Sequence, residues 1–241
     1  MARILKQQQS LNNAHFKWVV SGLAFLLLGI ILVVTMIYLD FSRNNYQKFT
    51  LFAGILLAIL GLRLISKGKK FIVGAVGESA VSKVMADFPR YWYIFNDMFV
   101  GSSQIDHIIV CPKGVYTIET KNYKGTIYGN AEKKEWTQVF KKDGKYYRYS
   151  FYNPVKQGMK HSLELSNYLK KNGLKKIWVN TVIVFTNKEV ELKVFSKKVP
   201  VLYLSNLREY FEKRKSVFSS NQCIDIGKLI QKLVSSKRLK C

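Results

Sequence analysis

The sequence predicts an α/β fold, a mixed sheet flanked by helices, preceded by an N-terminal transmembrane helical hairpin. Two long apolar stretches fall before residue 66. Beyond them the hydrophobic periodicity runs helix, three strands, an insertion, helix, strand, which is the order of a three-layer α/β core. At 241 residues the chain has room for one core and an additional segment. The divisions read from it are an anchor at 1–70, an α/β domain at 71–190, and a basic strand-and-helix extension at 191–241.

The anchor holds two apolar segments, at about 18–39 and 49–65. Residues 19–39 carry no charge over 21 positions. As a helix they span about 31 Å, matching a hydrocarbon core of about 30 Å. They exceed the apolar region of a signal peptide, and no small-x-small cleavage site follows. The second segment has 14 uncharged residues, 49–62, before Arg63, whose long side chain can reach the headgroups. Arg3, Lys6 and Lys17 precede the first segment, Lys67, Lys69 and Lys70 follow the second, and the loop between has only Arg43 and Lys48. The positive-inside rule then predicts two spans of the cell membrane with both ends in the cytoplasm. An interfacial second helix is the other reading, and it would turn the C-terminal domain outward.

Charge is unevenly divided. Residues 66–241 hold 33 Lys and Arg against 14 Asp and Glu, a net +19 of the chain's +24. Such a surface attracts polyanions, and nucleic acid and anionic headgroups are both candidates. Cys111, Cys223 and Cys241 are odd in number and widely spaced, so neither a disulfide framework nor a zinc site is expected.

Residues 76–88 read as a helix with Glu78, Val81, Met85 and Phe88 on one face. A carboxylate turned toward a core must be paired or must hold a cation; alternatively, Glu78 complements the helix dipole. Strands follow at 91–97, 104–111 and 114–121. Only Pro112 and Lys113 separate the last two, which predicts an antiparallel hairpin with Cys111 facing Gly114. That register sets Asp106 opposite Glu119 and Gln104 opposite Lys121, all on one face. Opposed carboxylates with Cβ atoms about 4.5–5.5 Å apart repel, so a cation is expected, Mg²⁺ or Mn²⁺, held by one or two carboxylates and water. A solvated salt bridge among Asp106, Glu119 and Lys121 is the alternative. His107 alternates to the opposite face and is expected to pack or hydrogen-bond there.

Strands at 125–128, 136–140 and 146–151 are expected to extend the same sheet. Asn153-Pro154 starts a helix to about residue 171, with Val155, Met159, Leu163 and Leu169 near its apolar face. Residues 178–185 read as a buried central strand, 199–204 as another strand, and 207–215 and 224–234 as terminal helices.

The strings VGESAV, SQIDHIIV and GVYTIETKNYKGTI, with a downstream NPVKQ, resemble the nuclease-related domain (NERD) family over about residues 74–185. That family is a branch of the restriction-endonuclease-like, PD-(D/E)xK superfamily, whose signature is an Asp on one strand and Glu-x-Lys on the next. The resemblance implies that Asp106 and Glu119 ligate the metal, with the Thr120 carbonyl contributing. It implies that Lys121 orients or activates water and that Glu78 completes the acidic cluster. Gln104, Trp136, Asn153 and Gln157 match family positions; the two glutamines could support phosphate or ligands, whereas packing and capping suit Trp136 and Asn153.

The resulting expectation is a membrane-anchored, metal-dependent nuclease acting on nucleic acid, DNA first, with low sequence specificity. No Ser-His-Asp or Cys-His arrangement and no Gly-x-x-x-x-Gly-Lys loop accompanies it. Some relatives carry kinase-like, helicase-like or zinc modules, for which the C-terminal stretch here is too short or lacks the cysteines, so any companion activity is expected on a separate partner protein. The competing reading is a non-catalytic membrane-tethered nucleic-acid-binding protein or inner-leaflet scaffold, using clusters such as Lys170-Lys171, Lys175-Lys176 and Lys213-Arg214-Lys215.

Overall fold

A computed structural model describes residues 3–6, 10–38 and 46–238. Leu39, Arg43 and Cys241 of the sequence reading lie outside the described residues. The chain forms two units, residues 9–75 and residues 1–8 with 76–241.

In the smaller unit, α1 (Ser10–Tyr38) and the first part of α2 (Tyr46–Ala86) are both long and apolar enough to cross a membrane. Leucines and isoleucines such as Leu27, Ile31, Ile55 and Ile59 are exposed around them, whereas Gly22, Gly29, Gly54 and Gly61 are buried. A Cβ on Gly29 would come within 2.6 Å of the Gly54 carbonyl oxygen, and one on Gly61 within 2.6 Å of that of Gly22. Small residues at heptad spacing thus let the two backbones touch, a packing mode common between membrane helices.

The larger unit is a layered α/β structure. Its elements are β1 (Arg3–Lys6), the end of α2, β2 (Tyr93–Val100), β3 (Ser103–Cys111), β4 (Gly114–Lys121), β5 (Gly125–Asn130), β6 (Glu135–Lys142), β7 (Lys145–Tyr152), α3 (Pro154–Lys171), β8 (Val179–Phe185), β9 (Val190–Phe195), β10 (Val201–Tyr203), α4 (Leu207–Glu212) and α5 (Ser220–Arg238). The main sheet is six-stranded and mixed, in the order β1-β2-β3-β4-β8-β10. One face packs on Val81 and Met85 of α2 and Leu207 and Phe211 of α4. The other packs on Leu165 and Leu169 of α3 and Cys223, Ile226 and Ile230 of α5.

Several expectations are corrected. The strands at 125–128, 136–140 and 146–151 do not extend the main sheet. They build a second, four-stranded sheet, β7-β6-β5-β9, with its own core of Ile127, Trp136, Phe151 and Phe185. Residues 76–88 are not a separate helix but the end of α2, which stops at Ala86; Phe88 is buried in the turn beyond it. Met159 and Leu163 are 54% and 60% exposed. The buried face of α3 instead runs through Val155, Gly158, His161, Ser162, Leu165 and Leu169, because the polar Ser162 bonds Thr117 and Thr181 on the sheet, both at 2.6 Å. Trp178 is exposed just before β8 begins. Neither β1 nor β9 was expected.

Cys111 and Cys223 are free, buried thiols, and burial pushes Cys111 up to about 12. It is therefore packing and not a nucleophile. Trp136 likewise packs, stacked on Phe185 with its indole N–H donated to the Asn130 carbonyl at 2.9 Å. Asn153 caps α3, accepting from Val155 N–H at 2.8 Å while its amide donates to the carbonyls of Asn130, Ala131 and Lys133. One side chain therefore ties the start of α3 to the β5–β6 turn.

Gly158 lets α3 approach the sheet. A Cβ there would stand 2.6 Å from Thr181 Cγ2 and 3.6 Å from Glu119 Cβ. Gly158→Ala is expected to destabilise the protein by about 1–3 kcal/mol through overpacking, despite alanine's better helix propensity. A thermal melt checks this: an unchanged or higher Tm would show that the contact is not close.

Candidate active site

The site forms where three strands part. The β3–β4 ladder runs from Cys111–Gly114 to His107–Ile118, the register expected from the two-residue turn. Its continuation would set Asp106 opposite Glu119. Instead the Asp106 carboxylate takes over the pairing, Oδ2 accepting the Thr120 backbone N–H at 2.8 Å. On the other side, β2 and β3 pair Asn96 with His107 and Met98 with Ile105, bracketing Asp97 against Asp106. Asp97 is buried and has φ 55°, a left-handed conformation that Asp tolerates better than most residues. Both strands flanking β3 thus depart from regular pairing around Asp106.

Across the opening, β4 presents Glu119 and Lys121 on the face covered by α3. The Lys121 ammonium lies 2.5 Å from Glu119 Oε1 and donates to Gln157 Oε1 at 3.1 Å. His161, one helical turn after Gln157, brings Nδ1 within 3.1 Å of Glu119 Oε2. That oxygen is buried and receives no hydrogen bond of good geometry, although the ring is close enough to form an ion pair when protonated. Burial alone would raise the Glu119 carboxyl, but Lys121 and His161 outweigh it and hold it below its ordinary value. Burial likewise opposes the Lys121 ammonium, and Glu119 and Asp106 more than compensate, so Lys121 is raised. The pair is charged at neutral pH. The Glu119 contribution to stability is present above its unfolded-state value and is lost as pH falls through the lowered folded value.

Asp106 behaves in the opposite way. Burial pushes its carboxyl well above the usual range, and the negative charges of Glu119 and Glu78 push it further; Lys121 and the Thr120 N–H only partly offset them. Glu78, half-buried on α2, thus reaches the site electrostatically from the opposite layer. The structure brings together Asp106, Glu119, Thr120, Lys121 and Gln157, with Glu78 acting on Asp106. It does not pair Gln104 with Lys121: the Gln104 amide donates to Asp97 Oδ1 at 2.6 Å. His107 turns to the other face, its Nδ1 2.8 Å from Asn96 Oδ1, and Asn96 donates to Ser82 of α2. Sequence reasoning missed Asp97 and the approach of His161 to Glu119. The i, i+4 spacing of Gln157 and His161 was the available signal for the latter.

Among the described residues, no group of three His, Cys, Asp or Glu side chains stands as a ready metal cage. The donor chemistry still fits a small hard cation. Asp106 is an acid raised by its acidic neighbours, Glu119 Oε2 is a buried carboxylate oxygen beside the His161 ring, and Mg²⁺ commonly uses one or two carboxylates with several waters.

Because Asp106 has a raised folded value, its stabilising effect is present below the unfolded value of about 3.9 and is lost as pH rises through the folded one. Asp106→Asn keeps an acceptor for Thr120 and removes the charge. It is expected to raise Tm at neutral pH without divalent ions by a few degrees, on the scale of about 2–4 °C per kcal/mol for a chain this size. Millimolar Mn²⁺ should raise the wild-type Tm and leave the variant unmoved. Equal responses in the two proteins would count against Asp106 as a ligand; the readout is a melt at several pH values.

Residues 73–186 match the nuclease-related domain family, a span that contains Glu78, Asp106, Glu119, Lys121, Gln157 and His161. An uncharacterized protein of Bacillus anthracis is 32% identical over 183 residues, covering 71% of this chain and 82% of that protein. No solved structure matches the chain. The strand Asp and the Glu-x-Lys thus meet in space within the very segment that matches, and the chain belongs to the nuclease-related domain family.

Proposed function

We propose that this protein is a membrane-anchored nuclease that hydrolyses phosphodiester bonds, in DNA, with Mg²⁺ or Mn²⁺ and little sequence preference. The observation that carries the reading is the Glu119–Lys121 pair beside Asp106, at the seam of a sheet in a nuclease-related domain. Asp106 and Glu119 would hold the ion, with the Thr120 carbonyl as a further donor. Once bound, the ion supplies Lewis-acid charge to a phosphate oxygen and acidity to water.

The chain's own residues divide the remaining work. Lys121, raised by its acidic neighbours, stays protonated and donates to the attacking water or to phosphate rather than abstracting a proton. Gln157 steadies that ammonium from α3. Glu78 adds negative potential that favours the cation over a second ammonium. The basic surface would hold the substrate backbone, a contact indifferent to base identity.

Full-length protein in detergent, given plasmid DNA and Mn²⁺, is expected to cleave it. Asp106→Ala, Glu119→Gln and Lys121→Ala should each lose at least about 10²-fold, the scale for removing one electrostatic stabiliser. Undiminished cleavage in all three would remove the assignment, and metal-independent binding without turnover by the wild type would favour a non-catalytic binding protein.

The membrane reading rests on α1 and α2, with both chain ends in the cytoplasm. Support comes from β1, whose residues precede the hairpin yet pair in parallel with β2, from Arg3–Tyr93 to Lys6–Asn96. Strands of one sheet share one compartment, so the intervening hairpin crosses an even number of times. Epitopes at both termini are expected to resist protease in intact cells and to be cut after permeabilisation; digestion of either in intact cells would contradict the topology.

A further inference from the structure

The second sheet presents a face that a solvated sheet does not need. Its β5–β6, β6–β7 and β5–β9 registers separate two sides. Ile127, Trp136 and Phe151 point into the core. The alternate positions place Tyr128, Tyr146, Tyr152 and Phe195 on the outer side, and these rings are 44%, 76%, 51% and 54% exposed. Tyr149, 53% exposed, lies on the other side, so the outer side holds four of the five exposed rings of this sheet among the described residues, a surface built for contact.

Positive charge is interleaved with the rings. The Lys193 ammonium sits 5.6 Å from the centre of the Tyr128 ring, Lys141 5.8 Å from that of Tyr146, and Lys197 5.6 Å from that of Phe195. Glu191, anchored by the Thr126 hydroxyl at 2.8 Å, steadies Lys193 from 3.3 Å. Residues 124–152 and 188–198 together carry 11 Lys and Arg against five Asp and Glu. A ring with an ammonium lying over it, 5.6–5.8 Å from its centre, joins a π surface to a positive charge and suits a base and its phosphate as a unit.

We propose that the outer face of the β7-β6-β5-β9 sheet is a stacking platform for single-stranded nucleic acid, which it delivers to the site at Asp106 and Glu119. This deepens the nuclease reading and rests on it for the destination of the strand. An unpaired strand is favoured because its base faces are free to stack, whereas a duplex buries them and offers only groove edges and phosphates. The platform adjoins the site along the chain. β4 ends at Lys121 and β5 begins at Gly125, so at most about 14 Å of backbone separates them. The parallel pairing of β4 with β8 resumes as that of β5 with β9.

The test uses the full-length protein in phosphatidylcholine nanodiscs, with EDTA present so that binding is read without cleavage. Fluorescence anisotropy compares labelled oligo(dT) with a labelled duplex. Tyr128→Ala, Tyr146→Ala and Tyr152→Ala are each expected to weaken oligo(dT) binding about tenfold and to leave duplex binding unchanged. The matching Tyr→Phe variants, which keep the ring, should stay within about twofold of wild type. Oligo(dT) affinity unaltered in all three alanine variants would overturn the proposal. So would alanine effects confined to self-association, which would make the face a contact between copies, or to phosphatidylserine nanodiscs, which would make it a lipid surface. Parallel samples with Mn²⁺ in place of EDTA separate the two readings. Tyrosine-dependent binding without cleavage sinks the nuclease and keeps the platform; cleavage with tyrosine-independent binding does the reverse.

Discussion

A carboxylate removed from water persists in its charged form only where positive charge or donors replace the lost hydration, and Glu119 meets that condition through Lys121 and His161. Much of the larger unit is arranged to make this possible. Gly158 allows α3 to lie against β4 and β8. Asn153 fixes where that helix begins, so Gln157 and His161 arrive one turn apart over the strand. Ser162 adds a polar anchor to Thr117 and Thr181. The result is a charged strand residue whose surroundings are set by helix packing.

The second constraint is the break in the sheet. Regular pairing would bury Asp106 between Asp97 and Glu119 without relief. The left-handed turn at Asp97 and the capture of the Thr120 N–H by Asp106 open β3 on both sides instead. Stability is given up there, since burial and two acidic neighbours, Glu119 and Glu78, oppose the charged form of Asp106. Sites that bind cations commonly carry such unfavourable charge until the ion arrives. The same opening begins a new architecture, because β4 and β8 pass through it to become β5 and β9.

Much of this was legible in the sequence. Two residues between two strand-like runs dictated the hairpin register, and the period of two then put Asp106, Glu119 and Lys121 on one face. His107 went to the other face by the same rule. The apolar anchor and the α3 cap at Asn153 were equally local signals. What escaped depends on distant contacts. Met159 and Leu163 look like core by type, yet the sheet's hydroxyls select the face bearing Ser162. Nothing in the alternation of β5 to β7 says whether those strands join an existing sheet or start another. β1 is separated from β2 by the whole hairpin, and the left-handed Asp97 lies against Asp106 of the adjacent strand, a pairing that no local pattern announces.

The nuclease reading requires Asp106 and Glu119 to share a divalent ion. A crystal structure of the protein soaked in Mn²⁺, with anomalous scattering, tests it most directly. A peak is expected about 2.1 Å from a carboxylate oxygen of each residue, with the Lys121 ammonium drawn away from Glu119. A saturated soak that shows no peak there, with Glu119 still clasped by Lys121 and His161, would contradict it.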